Sequence, residues 1–383
     1  MDSSKWTSFN SGKLFSQIYR WNRIEPFGFV PPPVMLTVDM ANICNLACEW
    51  CNASKVRENK RMLSKTVLFD FADFLTSWER DGFKVETICL AGGGEPLCNP
   101  HAGEFMLKLT ENNIKFATVT NGVLINKYMN EMLNSQYVAV SVDAGTAKTF
   151  NKYKGLPADA DTFDRVIDNM AELCTLSRRT QCNLVTDSQS NGVNYRMIVY
   201  HDNIGEIVNA AKIAQEIGCK NLHIRPASVP YDGNISFSYS DDEIRLFYEQ
   251  VEEVKRTKRE DFGFFYSTEK FNEHFNKCND FKHCYAIFIT ATLMPSSCSV
   301  EDAYTLNLCC DRRSDPKFNL LTNENDIAKI AEKWGSNSHW QLFYDIIEKG
   351  YMKDCPRCTY YPHNKIFENC IEDGRDNMLL NFI

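Results

Sequence analysis

One short stretch, Cys44-Asn45-Leu46-Ala47-Cys48-Glu49-Trp50-Cys51, decides how the rest of this chain is interpreted. Its three thiols have the spacing C-x3-C-x2-C within a single loop. Cysteine thiolates are the ligands of iron–sulfur clusters, and a [4Fe–4S] cube normally takes four of them. Three thiolates therefore leave one iron without a protein ligand, and an open metal position is what a catalytic site needs. Zinc is the weaker interpretation, because the nearest downstream histidine is His101.

The sequence around this loop alternates between strand and helix patterns. Val34–Val38 follows three prolines and predicts a strand, because proline can begin a hydrogen-bonded ladder but cannot continue it. A helical apolar pattern begins at Ser64. Further predicted strands are Val85–Leu90, Lys115–Thr120, Tyr137–Asp143, Tyr195–Tyr200 and Asn221–Arg225, and further predicted helices are 101–113, 125–134, 161–177 and 204–217. Six strands joined by helical crossovers predict an α/β fold, a partial (β/α)6 barrel with its site at the carboxyl ends of the strands.

The composition of the 383 residues excludes several classes of protein. Apolar residues make up 44% and charged residues 24%, which is typical of a globular protein and not of a disordered chain. The formal net charge of −8 argues against a nucleic-acid or anionic-membrane surface, since both favour an excess of basic residues. No stretch approaches the ~18 continuous apolar residues of a membrane span, and residues 1–15 lack a signal-peptide pattern. We therefore expect a cytoplasmic protein whose 16 cysteines stay reduced, as metal ligands or buried thiols.

The loop at 44–51 resembles the signature of the radical S-adenosylmethionine (radical SAM) superfamily, and the similarity continues over residues 34–230. The family has an aromatic residue before the third cysteine; here it is Trp50, which the resemblance places against the SAM adenine. Gly92-Gly93-Gly94-Glu95-Pro96 resembles the family's GGE motif, whose backbone receives the SAM amino group. The remaining residues that the resemblance assigns to SAM binding are Asn121, Ser141, Asp143, Lys154 and Arg225. Either Lys154 or Arg225 is expected to pair with the SAM carboxylate, although Lys154 could equally be a solvated surface lysine.

The resemblance also implies a chemistry. The open iron of a [4Fe–4S] cluster would chelate SAM, and one electron from a reducing partner such as flavodoxin or ferredoxin would cleave it. The products are methionine and a 5′-deoxyadenosyl radical, which abstracts hydrogen from an unactivated C–H bond. The protein contributes orientation of the reactants and a barrel interior that excludes solvent from the radical.

A second group of cysteines lies in the C-terminal part of the chain. Tyr285–Met294 and Ala303–Cys310 predict a hairpin. Cysteines stand before the hairpin, at its end, and in a later C-x2-C pair: Cys284, then Cys309 and Cys310, then Cys355 and Cys358. This order resembles the twitch extension of radical SAM proteins, a shorter relative of the SPASM domain. The resemblance implies a small α+β domain with one auxiliary [4Fe–4S] cluster, in which only one of the two adjacent hairpin cysteines is a ligand.

Other ligand sets remain open for this second site. Cys298 could replace Cys284 or Cys309. Alternatively, Cys355, Cys358 and Cys370 could form a three-cysteine cluster with an open iron, or the cysteines could form a structural zinc knuckle.

The expected organisation has four regions: an N-terminal lead-in at 1–33, the barrel at 34–230, a connecting helical segment at 231–275 with a helix over about 241–257, and the auxiliary-cluster domain at 276–383. Two residues are weak candidates for catalysis. His223 lies in a strand that ends at the expected site, and Asp311 beside Cys310 could accept a proton near the auxiliary cluster.

Three hypotheses of function follow from these features. The first is a radical SAM enzyme of oxidoreductase or isomerase type that oxidises, epimerises or rearranges a small polar metabolite, such as a sugar, a nucleoside or an amino-acid-like compound. The second is a peptide or protein maturase of the SPASM/twitch type. Only 43 residues precede Cys44, without a winged-helix pattern for peptide recognition, so this hypothesis ranks below the first. The third, a non-catalytic iron–sulfur electron-transfer or interaction protein, conflicts with the open-iron cysteine loop and the GGGEP motif.

Overall fold

One ten-stranded sheet runs through the part of the chain that the computed structural model describes, namely residues 15–51, 53–186, 191–227, 238–268, 271, 282–355 and 358–372. In chain order its strands are β1 (Met35–Asp39), β2 (Thr87–Ala91), β3 (Lys115–Thr120), β4 (Tyr137–Ser141), β5 (Gly192–Val199), β6 (Asn221–Pro226), β7 (Gly263–Tyr266), β8 (Thr290–Pro295), β9 (Tyr304–Asn307) and β10 (Asn319–Glu324). Across the sheet they follow the order β10-β9-β8-β1-β2-β3-β4-β5-β6-β7. A separate two-stranded ribbon pairs Glu79–Arg80 with Phe83–Lys84.

The first seven strands form the barrel wall. β1 to β7 pair in chain order, and every one of these pairs is parallel. The predicted α/β class is therefore confirmed. β4 ends at Ser141, two residues before the predicted end, and Asp143 has a φ of +63°, outside the β region. β7 lies within the segment 231–275, for which the sequence predicts only helix, and it adds a seventh parallel strand to the wall.

Helices pack their apolar side chains against the sheet. They are α1 (Lys65–Ser77), α2 (Ala102–Glu111), α3 (Ala147–Lys154), α4 (Thr162–Thr180), α5 (Ile207–Glu216), α6 (Asp241–Thr257), α7 (Lys329–Lys333), α8 (Asn337–Glu348) and α9 (Tyr361–Ile366), with four-residue helices at Ile18–Trp21, Met129–Met132 and Asn183–Thr186. Ser64 begins α1, as predicted, because its Oγ accepts a hydrogen bond from the Val67 N–H at 3.2 Å. The predicted helix over 125–134 is instead a 3-10 turn, Ile125–Lys127, followed by the short helix Met129–Met132.

The two faces of the barrel strands differ in chemistry. Successive side chains of a strand point to opposite faces, so residues two apart share one face. In β2, Ile88 and Leu90 are buried among the helices, whereas Thr87, Cys89 and Ala91 remain partly accessible to solvent. The apolar core thus lies between sheet and helices, and the other face lines an accessible interior.

The C-terminal strands extend the same sheet. β8 pairs in parallel with β1, and β9 and β10 follow in antiparallel order. The predicted hairpin is therefore formed by β8 and β9, directly beside the first barrel strand. Further contacts join the two parts, since the Trp334 indole donates to the Pro31 carbonyl at 2.9 Å and Arg80 donates to the Trp334 carbonyl at 2.8 Å.

None of the helices in the described ranges combines the length and the apolar character that crossing a membrane requires.

Candidate active site

The three cysteines of the loop at 44–51 lie together after the carboxyl end of β1. The Cys51 N–H donates to the Cys48 carbonyl at 3.3 Å, which turns the loop back on itself. The thiols of Cys44 and Cys48 both lie within electrostatic range of Cys51, and all three are free of disulfides. Burial raises the pKa of the Cys44 and Cys48 thiols, so both are neutral in the metal-free chain and would release protons on binding a metal.

The glycine-rich motif packs directly against this loop. The Glu95 N–H donates to the Ile43 carbonyl at 2.8 Å. A Cβ atom on Gly94 would lie 2.2 Å from the Ile43 carbonyl oxygen, and a Cβ atom on Gly93 would lie 2.7 Å from the Val56 side chain. Only glycine permits this close approach of the motif to the cysteine loop. The Gly93 N–H itself donates to Asp39 Oδ2 at 2.9 Å, at the end of β1.

The Glu95 side chain joins the ends of two strands. Its Oε1 accepts from Thr120 Oγ1 at 2.6 Å, and its Oε2 accepts from the Asn121 N–H at 2.8 Å. Burial raises the pKa of Glu95 to about 7, although these hydrogen bonds oppose the shift. The Asn121 amide in turn donates to Asn45 Oδ1 at 2.7 Å and lies 3.8 Å from Cys44 Sγ. Glu95 and Asn121 thus hold the cysteine loop over the ends of β2 and β3.

Lys154 and Asp143 form a buried ion pair beside Cys48. Lys154 Nζ lies 2.6 Å from Asp143 Oδ2 and donates to the Ser141 carbonyl at 2.8 Å. The other carboxylate oxygen of Asp143 accepts from the Ile198 N–H at 2.8 Å. Burial acts to lower the pKa of Lys154, but the Asp143 carboxylate and the Cys48 thiol outweigh it, and the pKa is raised. Lys154 is therefore a buried partner of Asp143 and not a solvated surface lysine.

The carboxyl end of α3 fixes the middle of the cysteine loop, a contact that the sequence analysis missed. The Ala47 N–H donates to the Lys154 carbonyl at 3.1 Å, and the Glu49 N–H donates to the Tyr153 carbonyl at 3.0 Å. Gly155 then ends the helix with a φ of +67°, and a Cβ atom there would lie 2.5 Å from the Ala47 oxygen. The only advance signal was a glycine at a helix end, which is common.

Trp50 belongs to a small aromatic cluster. Its ring stacks on Tyr200 with centroids 5.3 Å apart, and Tyr200 contacts Tyr153 at 4.9 Å. Arg225 lies near the carboxyl end of β6, exposed and within electrostatic range of Tyr200. Of the two cations considered for the SAM carboxylate, Lys154 is thus already paired and buried, whereas Arg225 is at the open end of the barrel. Tyr153 and Tyr200 were not among the predicted site residues.

The structure brings together four cysteines in the C-terminal region. The Cys284 thiol lies within electrostatic range of Cys355 and Cys358, and the Cys309 thiol lies within range of Cys284 and Cys358. Cys309 also lies beside Cys310, and both are within electrostatic range of Tyr360. Cys310 in addition interacts with Arg313 and hydrogen-bonds with the Tyr360 hydroxyl. These contacts favour Cys309 as the ligand among the two adjacent hairpin cysteines.

Side chains of neighbouring elements hold this second group in place. The Asn364 amide donates to Cys358 Sγ at 3.7 Å, and its oxygen accepts from the Ala286 N–H at 2.8 Å. Asp311 Oδ2 accepts from the Thr359 N–H at 2.7 Å, so its carboxylate is engaged in fixing the C-x2-C loop.

The remaining candidate residues either lie away from both cysteine groups or fall outside the described residues. Cys298 is in the turn after β8, where a hydrogen bond from Ser296 lowers its pKa. Cys278 and the side chain of Cys370 lie outside the described residues. His223 is in the middle of β6 on the interior face and partly accessible.

The residues of both groups fit iron–sulfur clusters in their chemistry. Within the described ranges, no three His, Cys, Asp or Glu side chains are close enough to share a single metal ion. Both groups nevertheless consist of sulfur donors, which suit iron–sulfur clusters. The three thiols of the first group remain partly accessible to solvent, so a further ligand can approach them.

The comparisons with known proteins agree with this geometry. The family model described as "Radical SAM superfamily" matches residues 38–186, which include the cysteine loop, the GGGEP motif and the Asp143–Lys154 pair. Residues 38–186 form a radical SAM domain. The predicted superfamily is confirmed, and with it the prediction of the iron–sulfur cluster and SAM that define its chemistry.

Curated relatives match over part of this chain. The AdoMet-dependent heme synthase of Methanosarcina barkeri is 24% identical over 196 residues, covering 50% of this chain and 50% of that protein. The mycofactocin maturase MftC of Mycobacterium ulcerans is 29% identical over 142 residues, covering 36% of this chain and 37% of that protein. The chain therefore spans half or less of the length of these relatives.

Solved structures match over more of the chain. Streptococcus suis SuiB bound to its precursor peptide SuiA superimposes with a TM-score of 0.58 at 15% identity, covering 87% of this chain and 70% of that one. The structure of anSMEcpe with bound AdoMet and the Cp18Cys peptide gives a TM-score of 0.55 at 17% identity, covering 88% of both chains. The shared fold thus extends well beyond residues 38–186.

Proposed function

We propose that this chain is a radical SAM maturase of a peptide or protein. The observation that carries the proposal is the junction of β8 with β1, which places the hairpin of the auxiliary cysteines directly on the first barrel strand. Two solved structures of the same fold, matched over most of this chain, contain a peptide: SuiB with its precursor peptide SuiA and anSMEcpe with the Cp18Cys peptide. The small-metabolite hypothesis has less support, although the coarser statement, a radical SAM enzyme, is common to both.

The ligand assignment is part of the proposal. Cys44, Cys48 and Cys51 would hold the [4Fe–4S] cluster with the open iron. A second set, Cys284, Cys309, Cys355 and Cys358, would hold one auxiliary [4Fe–4S] cluster. When bound, the first cluster and SAM supply a radical that abstracts hydrogen from a C–H bond of the substrate.

The chain's own residues orient and enclose that chemistry. The backbone of Gly92–Glu95 offers hydrogen-bonding groups beside the cysteine loop, and Glu95 with Asn121 fixes that backbone to the strand ends. Trp50 offers an aromatic surface for the adenine, and Asp143 is held by Lys154 at the position expected for a ribose contact. Arg225 is our candidate for the SAM carboxylate, because it is exposed near the carboxyl end of β6.

The experiment that tests the proposal asks whether the substrate is a peptide or a small metabolite. Anaerobically reconstituted protein with SAM and dithionite is given cell extract from the source organism, split by a 3-kDa filter, and 5′-deoxyadenosine is quantified. We expect the stimulating fraction to lose its effect after protease treatment, and the responsible peptide to change mass. Stimulation that survives protease would instead establish the small-metabolite hypothesis. The same fractions with the Cys44→Ala/Cys48→Ala/Cys51→Ala variant give the background.

A further inference from the structure

The interior of the barrel has an unusual concentration of ionisable side chains. Asp39 on β1, Cys89 on β2, Tyr137 on β4 and Arg196 on β5 all alternate with the apolar residues that pack on the helices, so they share the opposite face. Arg313, after β9, reaches the same place. We call these five residues the inner wall. Cys89, Tyr137 and Arg196 remain partly accessible to solvent, so the wall faces an open interior.

Two guanidinium groups belong to this wall. Arg313 Nε lies 3.1 Å from Asp39 Oδ2, and Asp39 is fully buried. Arg196 lies over the Tyr137 ring, 5.9 Å from its centroid. Burial raises the pKa of the Cys89 thiol while both guanidinium groups oppose the shift, so both lie within electrostatic range of one thiol. Among the described residues, Arg196 has no carboxylate partner.

The charges of the inner wall do not balance. Arg196 and Arg313 carry two positive charges, and Asp39 is the acidic group among the five residues. Asp311, outside the wall, also lies within electrostatic range of Arg313, so the imbalance rests on Arg196. Burial raises the pKa of Asp39, although Arg313 and the Gly93 N–H oppose the shift. Tyr137 and Cys89 stay neutral, since burial raises the pKa of Tyr137 to about 12 and also raises that of Cys89. A partly enclosed guanidinium without a counter-ion is costly, and its planar donors match a carboxylate.

We propose that the inner wall binds a carboxylate of the substrate, with Arg196 as its principal partner. The inference rests on the proposed function for the substrate class and makes it narrower: the segment of peptide that enters the barrel is acidic. The carboxylate has two sources in a peptide, an acidic side chain or the C-terminus. Arg196 is then a specificity residue, held in place by the Tyr137 ring.

Cys89 provides a direct probe of the wall, without any radical chemistry. Reconstituted protein is alkylated anaerobically with iodoacetate or with iodoacetamide, and the rate at Cys89 is followed by peptide mapping. Both reagents react with the thiolate, so the ratio of the iodoacetate rate to the iodoacetamide rate does not depend on how much thiolate is present. The ratio therefore reports the charge around the thiol. We expect this ratio to be about fivefold higher at Cys89 than at Cys298, because a cationic wall concentrates the anionic reagent. Arg196→Gln should abolish the difference, whereas Arg196→Lys should retain it.

Arg245→Gln, on the exposed face of α6, is the matched control and should leave the ratio unchanged. Equal ratios at Cys89 and Cys298 in the wild type, or an unchanged ratio in Arg196→Gln, would overturn the proposal. The proposal would also be overturned if SAM alone removed the difference between the ratios at Cys89 and Cys298, because Arg196 would then bind the carboxylate of SAM.

Capped tripeptides identify the source of the carboxylate. Acetyl-Gly-Glu-Gly-amide should slow the reaction of Cys89 with iodoacetamide if the wall takes an acidic side chain, and acetyl-Gly-Gln-Gly with a free C-terminus should do so if it takes a terminus. Acetyl-Gly-Gln-Gly-amide should have no effect, and equal protection by all three peptides would contradict carboxylate recognition. None of these measurements needs turnover. If the inner wall proves selective for negative charge but the protein modifies no peptide, the proposed function is refuted and the inference about the wall stands.

Discussion

The two groups of cysteines are built in opposite ways. The first lies within eight consecutive residues, Cys44 to Cys51, and the neighbouring backbone is shaped around that loop. The second draws on positions from Cys284 to Cys358, which the β8–β9 hairpin and the segment before α9 bring together. A loop fixed by its own spacing can be recognised from sequence, whereas a dispersed site depends on the register of distant elements.

The two groups also differ in what they leave open. The three thiols of the first group, Cys44, Cys48 and Cys51, all remain partly accessible to solvent, where a small ligand can approach. The second group is enclosed: Cys284 and Cys358 are buried, and Asn364 ties the Cys358 thiol to the opposite segment. An open group suits catalysis, and an enclosed group suits a cluster that holds its position.

The largest expected effect is the loss of activity when the first group of cysteines is removed. Cys44→Ala/Cys48→Ala/Cys51→Ala should abolish 5′-deoxyadenosine formation, a loss of roughly a thousandfold or more, because these thiols are the proposed ligands of the cluster that cleaves SAM. Iron analysis should show about four irons lost per chain and about four retained at the second group. Cys182→Ala is the control, since that thiol lies on the helix side of the sheet. Turnover in the triple variant would refute the assignment of the first group.

The second prediction concerns two adjacent thiols with different surroundings. In the background of the triple variant, Cys309→Ala should lose most of the remaining iron, since Cys309 faces Cys284 and Cys358. Cys310→Ala should keep that iron, because Cys310 faces Arg313 and Tyr360. Iron and acid-labile sulfide content, with electron paramagnetic resonance of the reduced protein, provide the measurement. If Cys310→Ala lost the iron and Cys309→Ala kept it, Cys310 would be the ligand.

The third prediction tests the buried ion pair beside the first group. Lys154→Met leaves the Asp143 carboxylate buried without its partner, which should cost about 3 kcal/mol of stability. For a chain of this size, we expect the midpoint of thermal unfolding by circular dichroism to fall by roughly 5 °C. Asp143→Asn combined with Lys154→Met should recover part of the loss, because neither charge then remains. A double variant that is less stable than Lys154→Met would show that the pair is not the source of the effect.

Much of the first site could be predicted from the sequence because its signals are local. The spacing of Cys44, Cys48 and Cys51 and the glycine run at 92–94 each specify a short backbone conformation, and the strands between them follow from alternation and turn residues. The same holds for the β8–β9 hairpin. The choice between Cys309 and Cys310 could not be predicted, because both lie beyond the end of β9, at a turn, and only the tertiary contacts decide which thiol lies near Cys284.

The features that could not be predicted from the sequence depend on contacts between distant elements. Lys154 could be assigned to the surface or to SAM from its sequence, and its position opposite Asp143 depends on how α3 returns over β4. β7 spans only Gly263–Tyr266, too short for a periodic pattern, and its place is determined by pairing with β6. The inner wall was missed for a related reason: its members lie on four strands and a loop, and each appears alone in the sequence.

The smallest effect concerns acid sensitivity in the C-terminal region. His339 is fully buried in α8; its Nδ1 accepts from the Gly335 N–H at 3.0 Å and its Nε2 donates to the Ile287 carbonyl at 3.1 Å. Burial lowers the pKa of His339 to about 3, from an unfolded value near 6.5. The neutral ring therefore stabilises the fold above pH 6.5, and this contribution declines as the pH falls toward 3.

At pH 5.5 the wild type should lose about 1.4 kcal/mol relative to pH 7.5 from this residue, since one pH unit separates 5.5 from the unfolded pKa. His339→Gln is the matched variant, because an amide can accept and donate in the same two directions but does not titrate. The measurement is the difference in unfolding midpoint between wild type and variant at the two pH values. The first cysteine group is far along the chain from α8 and should retain its iron equally in both proteins. A difference that does not change with pH would mean that His339 is protonated within the fold, and that the core around Ile287 is more open than its burial indicates.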